Sequence, residues 1–257
     1  RVLGAGYYVL SRGDSFSQMA LNILHIPVNF GCEIGHLWYI YMLIGLYLVT
    51  PIISPWLQQA SKRELEGYLG LWIITTFLPY IHLVYPEVLG EAFWNDTPLL
   101  YYFTGFIGYF ILGYYLKRFG YPSAALSWII LIVGFALSAG IFCSRIDTVP
   151  TVPELELSWG FCTVNVFLMT LGLFSLIGRL SLKGKNAACK LLSDISIKSY
   201  GMYLAHILFL NFYYGLFKSI SDAAYVTIPL IAVCTFITVY IFVYLLSYLP
   251  KSKYIIG

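Results

Sequence analysis

The chain alternates between long uncharged stretches and short segments that carry its charged residues. The first clear stretch runs from His36 to Ser54. At about 1.5 Å of rise per residue, a helix of this length matches the roughly 30 Å of hydrocarbon in a bilayer. None of the 15 basic and 12 acidic residues lies inside such a stretch. The stretches recur at 36–54, 68–85, 99–116, 124–142, 159–178, 199–217 and 226–248. The pattern predicts an all-α fold, a polytopic transmembrane helix bundle with seven full spans.

The apolar run at the start of the chain is shorter than these stretches. It begins after Arg1 and stops at Arg12, and about ten residues cannot span a bilayer. No small-residue cleavage site follows, so a signal peptide is a poor interpretation. We expect this run to be a truncated first helix, with the natural N-terminus lying upstream. Because no soluble-looking block interrupts the chain, residues 1–257 are interpreted as one integral-membrane domain.

The basic residues fall mainly on one side of the predicted membrane. If the first helix runs outward and each stretch then crosses once, the inner loops hold 12 basic residues and the outer loops hold 3. This excess marks the cytoplasmic side and predicts a cytoplasmic C-terminus. It also requires that residues 15–32 form an interfacial or re-entrant segment instead of a span. The inner residues are Arg1, Lys62, Arg63, Lys117, Arg118, Arg179, Lys183, Lys185, Lys190, Lys198, Lys251 and Lys253, and the outer ones are Arg12, Arg145 and Lys218.

The composition agrees with a membrane protein. Hydrophobic residues make up 60% of the chain and charged residues 11%, whereas about 25% of the residues in a soluble domain are charged. The net charge of +3 is too small to indicate a nucleic-acid partner, so membrane lipids are the expected surroundings. Five cysteines are scattered without a CxxC pair, and no zinc, redox or other metal site is predicted.

His206 is the deepest histidine in the predicted spans. Ser199 precedes it by seven residues and Tyr203 by three, so the three lie on one helical face, about 10 Å from the cytoplasmic end of the helix. An ionisable group inside a membrane is a functional candidate, because it needs a partner or a water-filled cavity. A structural hydrogen bond to a neighbouring helix explains the position as well as catalysis does, and both interpretations stay open.

His36 and Trp38 begin the 36–54 helix at its predicted outer end. An imidazole costs little at the membrane interface, and an indole ring suits the headgroup level. An interfacial anchor and a substrate contact are equally good interpretations of His36.

Several residues inside the spans predict how the helices pack. Pro79 removes a backbone hydrogen bond and predicts a kink. Asn165 predicts an interhelical hydrogen bond, and Gly105, Gly108 and Gly113 predict close approach of a neighbouring helix.

Two stretches go beyond general hydrophobicity. The first runs from His36-Leu-Trp-Tyr to Tyr47-Leu-Val-Thr-Pro51-Ile-Ile, and the second is Ile195-Ser-Ile-Lys-Ser-Tyr-Gly-Met-Tyr-Leu-Ala-His206. At this spacing they resemble the bacterial membrane acyltransferase-3 family. The resemblance is strongest to the branch that O-acetylates surface polysaccharide such as the enterobacterial common antigen. It extends over essentially the whole chain, and these two motifs are its sharpest part.

The resemblance implies a bundle of about ten bilayer-length helices in the bacterial cytoplasmic membrane. Members of the family move an acyl group, usually acetyl from cytoplasmic acetyl-CoA, to a hydroxyl of a sugar or cell-envelope glycan. The expected donor is therefore acyl-CoA, and the expected acceptor is a glycan or a lipid-linked saccharide. No bound cofactor is expected.

The resemblance also assigns roles to residues. It puts the catalytic arginine and the principal catalytic histidine of the family upstream of residue 1, in the first of two preceding helices. In this sequence His206 is the catalytic candidate because of its position in the span. A histidine is expected to act as general base, or to relay the acyl group, while the acceptor hydroxyl attacks the thioester. Contacts with the substrates are expected from Arg1, which would face the donor, and from His36, Trp38, Ser199 and Tyr203.

Other functions fit the same pattern. The main alternative is a multi-pass transporter or flippase for a small or lipid-linked substrate, because a helix bundle with a few buried polar groups suits either class. No acidic residue lies in a predicted span to couple ion movement, although histidines can do so. A third interpretation is an inactive remnant of an enzyme. The basic run from Arg179 to Lys198 fits either topology determination or donor binding.

Overall fold

The computed structural model describes four long parts of the chain, residues 38–85, 100–180, 187–218 and 223–250, and six single residues. The single residues are Ser15, Ser17, Ala20, Leu21, Leu24 and Ser252. Every regular element in these parts is a helix, which confirms the all-α prediction. The truncated first helix and most of the segment 15–32 lie outside the described residues.

The helices fall into two compact units. The central unit is Met42–Ser181, and the terminal unit combines Arg1–Tyr41 with Leu182–Gly257. Short 3₁₀ helices cover Tyr101–Phe103 and Glu156–Trp159. The α-helices are α1 (Trp38–Gln59), α2 (Lys62–Thr75), α3 (Leu78–Val84), α4 (Phe106–Phe119), α5 (Ala124–Arg145), α6 (Val152–Leu155), α7 (Val164–Gly178), α8 (Ala187–Phe217) and α9 (Ala224–Leu246).

Four segments in the described parts are long and apolar enough to cross a membrane, or five if one bent pair counts as a span. The four are Trp38–Gln59, Lys62–Val84, Ala124–Arg145 and Ala224–Leu246, and the pair is Val152–Trp159 with Val164–Gly178, bent by 44°. By length and composition, the described parts therefore hold fewer candidate spans than the seven that the sequence predicted. If the bent pair is counted as a span, two predicted windows account for the difference.

The window 99–116 is not one continuous helix. Gly105 has a φ of +84°, which L-residues rarely adopt, and it separates the 3₁₀ turn from α4. α4 has 14 residues and rises only about 21 Å. The window 199–217 is part of α8, which begins at Ala187 and has 31 residues. Polar side chains such as His206 interrupt its apolar sequence, and α8 is not among the candidate spans.

Pro79 breaks the second span as predicted. α2 ends at Thr75 and α3 begins at Leu78, so the proline lies in the first turn of α3, where its missing N–H leaves no bond unmade. The hydroxyls of Thr75 and Thr76 donate to backbone carbonyls of the preceding turn, at 2.6 and 2.7 Å. These bonds satisfy polar groups that the break would otherwise leave without a partner.

Trp72 is the centre of the core of the central unit. Its side chain is fully buried, and its ring nitrogen donates to the Gly105 carbonyl at 3.0 Å. A Cβ at Gly108 would lie 2.0 Å from the indole, so α4 approaches this ring through a glycine. The rings of Tyr109 and Phe167 flank Trp72 at centroid distances of 4.8 and 5.3 Å. The predicted packing role of Gly108 is confirmed.

Two glycines join α5 and α7. A Cβ at Gly134 would lie 2.7 Å from the backbone nitrogen of Met169, and a Cβ at Gly172 would lie 2.7 Å from the Leu131 nitrogen and the Ser127 carbonyl oxygen. The two backbones therefore touch at two levels, as small residues allow between membrane helices.

Asn165 makes the interhelical hydrogen bonds that the sequence predicted. Its side chain is fully buried. Its amide oxygen accepts from the Tyr80 hydroxyl at 2.7 Å, and its nitrogen donates to the Ser138 hydroxyl at 2.7 Å and the Ser158 carbonyl at 2.9 Å. One side chain therefore ties α3, α5 and α7 together.

The terminal unit is built on α8 and α9. Met202 of α8 and Val239 and Val243 of α9 form its buried apolar cluster. A hydrogen bond of 2.7 Å between the hydroxyls of Tyr213 and Thr238 also joins the two helices. This helix pair carries the candidate site.

Candidate active site

One face of α8 and one face of α9 border a cavity of about 420 Å³. Ser199, Tyr203 and His206 line it, so the structure brings together the three residues that the sequence placed on one helical face. The volume falls within the range of small-molecule sites. The rest of the lining is apolar apart from one threonine and comprises Ile195, Met202, Leu210, Ala232, Thr235, Phe236 and Val239.

The predicted distance of His206 from the start of its helix is wrong. Because α8 starts at Ala187, His206 lies about 28 Å from the first residue of the helix instead of about 10 Å. The helix starts earlier because Ala187–Leu192 is itself rich in good helix formers, although Lys190 had marked it as a loop. His206 is therefore in the second half of a long helix.

His206 rests against the turn of helix that precedes it. Its Nδ1 is 2.6 Å from the backbone carbonyl oxygen of Tyr203, which can only accept a hydrogen bond. Nδ1 is therefore the donor, and in the neutral ring Nε2 carries the lone pair that can accept a proton. The rings of Tyr203 and His206 lie 5.6 Å apart between centroids. The geometry gives His206 the tautomer of a base.

Tyr203 also contacts the first turn of α1. Its ring meets the ring of Tyr39 edge-on at a centroid distance of 5.3 Å. Tyr39 in turn meets the ring of its neighbour Trp38 at 6.3 Å and 85°. A chain of aromatic contacts therefore leads from Trp38 through Tyr39 and Tyr203 to His206. Three predicted site residues lie on this chain.

Ser199 lies one turn before Tyr203 on the same wall. Its hydroxyl donates to the Ser196 carbonyl at 2.8 Å. Because the proton of the hydroxyl is engaged with the helix backbone, the oxygen is placed to accept a hydrogen bond from a ligand. This arrangement suits a binding role better than a nucleophilic one.

Thr235 is a site residue that the sequence analysis missed. It lies on the α9 wall of the cavity with 5% of its surface exposed. Its hydroxyl has no hydrogen-bond partner in the described parts of the chain. A buried hydroxyl without a partner costs stability, and such a cost is typical of functional positions. Thr235 is one of three threonines in the apolar α9, and nothing in the sequence sets it apart from Thr227 and Thr238.

A charged network lies beside the cavity. Lys198 is 8% exposed, and its ammonium pairs with Asp194 and lies 5.2 Å from the centre of the Tyr244 ring. Asp194 also accepts a hydrogen bond from the Tyr240 hydroxyl at 2.7 Å. Lys198 and then Tyr240 lower the pKa of Asp194, because both stabilise its charged form. Lys198 is therefore engaged in joining α8 to α9, although the sequence had placed it in a basic loop.

The remaining predicted site residues, Arg1 and His36, lie outside the described residues. In the parts of the chain that are described, no three His, Cys, Asp or Glu side chains come together in a way that could hold a metal ion. The chemistry visible in the terminal unit is that of an imidazole and hydroxyl groups in a largely apolar cavity. Such a site offers a ring nitrogen that can take a proton from a hydroxyl group.

Comparison with known proteins gives one match. The model of a family described as an acyltransferase domain matches residues 2–248. Neither the search of curated proteins nor the search of solved structures found a match to this chain. The family match covers both motifs and every helix described above.

Proposed function

The chain belongs to the membrane acyltransferase-3 family, and from this premise we propose that it is a membrane-embedded O-acyltransferase acting on a cell-envelope glycan. The family match makes it an acyltransferase that acts on groups other than amino-acyl groups. We propose acyl-CoA, with acetyl as the acyl group, as the donor on the cytoplasmic side. The acceptor is a hydroxyl of a glycan or of a lipid-linked saccharide.

The observation that carries the proposal is the cavity beside His206. It places a proton-accepting imidazole, hydroxyl groups and apolar walls together within the family domain. Acyl transfer to a hydroxyl needs a base near the attacking oxygen and a site that excludes water, since water would compete as the acceptor.

In the proposed reaction the acceptor hydroxyl gives its proton to Nε2 of His206 as its oxygen attacks the thioester carbonyl. A new C–O ester bond forms and the C–S bond breaks. The thiolate of coenzyme A leaves and takes a proton from the imidazolium, which returns His206 to its neutral form. The carbonyl of Tyr203 holds Nδ1–H in place throughout.

Other residues are proposed to bind the substrates. Ser199 and Thr235 offer hydroxyl groups to the polar part of the substrate, and Tyr203 and Trp38 offer aromatic surface. Arg1 is proposed to face the phosphates of the donor, and His36 to contact the acceptor.

For the membrane arrangement we propose a multi-pass protein of the bacterial inner membrane with a cytoplasmic C-terminus. Several apolar helices support a membrane location. In the proposed seven-span topology, α4 and α8 cross the membrane in addition to the four candidate spans and the bent pair. The support for this topology is the distribution of basic residues, 12 inside against 3 outside.

The test is to supply labelled acetyl-CoA to membrane vesicles that contain the protein and to measure the label in polysaccharide. Transfer of label that depends on the protein supports the proposal. Uptake of a solute without transfer of label indicates the transporter instead. A His206→Ala variant is expected to lose about 10²-fold or more in rate, whereas His82→Ala, which changes a histidine in α3, keeps its activity. Wild-type transfer by His206→Ala would remove His206 from the site.

A further inference from the structure

A second cavity, of about 370 Å³, lies in the central unit between the C-terminal parts of α1 and α4. The Arg118 guanidinium joins these two helix ends by donating to the backbone carbonyls of Leu57, at 2.9 Å, and Ala60, at 3.2 Å. The helices therefore end on one side, as the predicted topology requires. The lining residues are Ser54, Leu57 and Gln58 from α1 and Phe110, Gly113, Tyr114 and Lys117 from α4.

The α4 wall of the cavity changes from apolar to charged along the helix axis. Phe110 and Lys117 are seven residues apart on α4, which separates them by about 10 Å. On α4, Phe110 supplies apolar surface, and Tyr114 and Lys117 supply hydrogen-bond donors nearer the helix end. On α1, Gln58 supplies a further donor in the last turn. This order matches a membrane lipid, whose hydrocarbon lies deeper in the bilayer than its headgroup.

The charge of the cavity comes from Lys117. The neighbouring cations are engaged: Arg118 with the carbonyls at the end of α1 and Lys62 with Glu66 at 3.7 Å. Within the described parts of the chain, Lys117 has no carboxylate at salt-bridge distance. Helix C-termini repel anions, but Arg118 offsets this effect at α1. An anionic ligand is therefore complementary to the cavity.

Gly113 keeps the cavity open. A Cβ at this position would meet no atom within 4 Å. The expectation that Gly113 lets a neighbouring helix approach is therefore wrong, because its face opens on the cavity instead. A large side chain at this position can occupy the space of a ligand without displacing the protein.

We propose that this cavity binds one anionic phospholipid. The phosphate lies between Lys117, Gln58 and Tyr114, and one acyl chain lies along Phe110. Basic pockets between transmembrane helices on the cytoplasmic side bind anionic headgroups in this way. A zwitterionic phosphatidylcholine binds more weakly, because its quaternary ammonium faces the Lys117 charge.

The test is native mass spectrometry of the detergent-purified protein with phosphatidylglycerol and phosphatidylcholine of equal chain length. Phosphatidylglycerol is expected to bind the wild type more tightly. Lys117→Ala should weaken that binding about tenfold, the effect of losing a hydrogen bond to a charged group, and Lys117→Arg should keep it. Gly113→Leu should block the site. The matched controls, Lys62→Ala and Gly140→Leu at another open glycine, should bind as the wild type does.

Two results would overturn the inference. One is unchanged phosphatidylglycerol binding by both Lys117→Ala and Gly113→Leu. The other is that soluble coenzyme A displaces the lipid, and that it binds the wild type but not Lys117→Ala. The cavity would then be a site for a soluble phosphate ligand. If Gly113→Leu fails to fold, the comparison of Lys117→Ala with Lys117→Arg still decides, since Lys117 is exposed.

Discussion

Tyr39 packs edge-on against Tyr203, with ring centroids 5.3 Å apart and ring planes inclined at 64°. The two residues belong to the two separate motifs that resemble the acyltransferase-3 family. Because their rings touch, the start of α1 packs against the middle of α8. The contact also holds Tyr203 beside His206, so the packing of the two motifs bears directly on the candidate site.

The first prediction concerns this pair. Tyr39→Ala and Tyr203→Ala should each lower the free energy of unfolding, and the double variant should lose less than the sum by about 1 kcal/mol, the coupling of an edge-to-face pair. The measurement is denaturant unfolding of the purified protein in detergent. Tyr47→Ala, at an exposed tyrosine of α1, is the control and should show no coupling to Tyr203→Ala. Strictly additive losses for Tyr39 and Tyr203 would show that the contact contributes nothing.

Much of this arrangement could be predicted from the sequence. Uncharged stretches of bilayer length predict α5 and α9 nearly to their ends, because the composition of a membrane helix is set by the lipid around it. The spacing of Ser199, Tyr203 and His206 predicted one face, because the period of a helix does not depend on its neighbours.

The rest depends on contacts between distant parts of the chain. The break before α4 follows from the left-handed Gly105, whose carbonyl accepts the Trp72 indole, and no local pattern indicates that partner. Thr235 was missed because a threonine hydroxyl in an apolar helix usually bonds to its own backbone, as that of Thr227 does. Only the structure shows that the Thr235 hydroxyl lies on the cavity wall and has no partner among the described residues.

The second prediction concerns pH. The pKa of Asp194 is lower in the folded protein than in the unfolded chain. Its contribution to stability is therefore complete above the unfolded pKa of about 3.9 and is lost as the pH falls through the lower, folded pKa. Thermal unfolding of the wild type and of Asp194→Asn should show a difference in Tm at pH 6 that shrinks below about pH 4. Asp147→Asn, at an exposed aspartate after α5, should show none. A constant difference across the range would contradict the role of Asp194.

The third prediction separates binding from stability at Thr235. Its hydroxyl is buried without a partner among the described residues, so Thr235→Val should raise the free energy of unfolding by about 1 kcal/mol. If the hydroxyl binds substrate, the same change should raise KM. The control is Thr238→Val, which should lower stability because Thr238 bonds to the Tyr213 hydroxyl at 2.7 Å. A Thr235→Val variant that gains stability with unchanged KM would exclude Thr235 from substrate binding.

The last prediction concerns one of the two glycine contacts between α5 and α7. A methyl group at Gly172 would lie 2.7 Å from two backbone atoms of α5, and a backbone cannot turn aside as a side chain can. Gly172→Ala should therefore force α5 and α7 apart and lower the free energy of unfolding by about 1–3 kcal/mol. Gly140→Ala is the matched control, since a Cβ there meets no atom within 4 Å. It should gain up to about 1 kcal/mol, because alanine loses less backbone entropy in a helix than glycine does. Denaturant unfolding of both variants measures whether the free energy of unfolding falls for Gly172→Ala and rises for Gly140→Ala. A stabilised Gly172→Ala would show that the two helices lie farther apart than described.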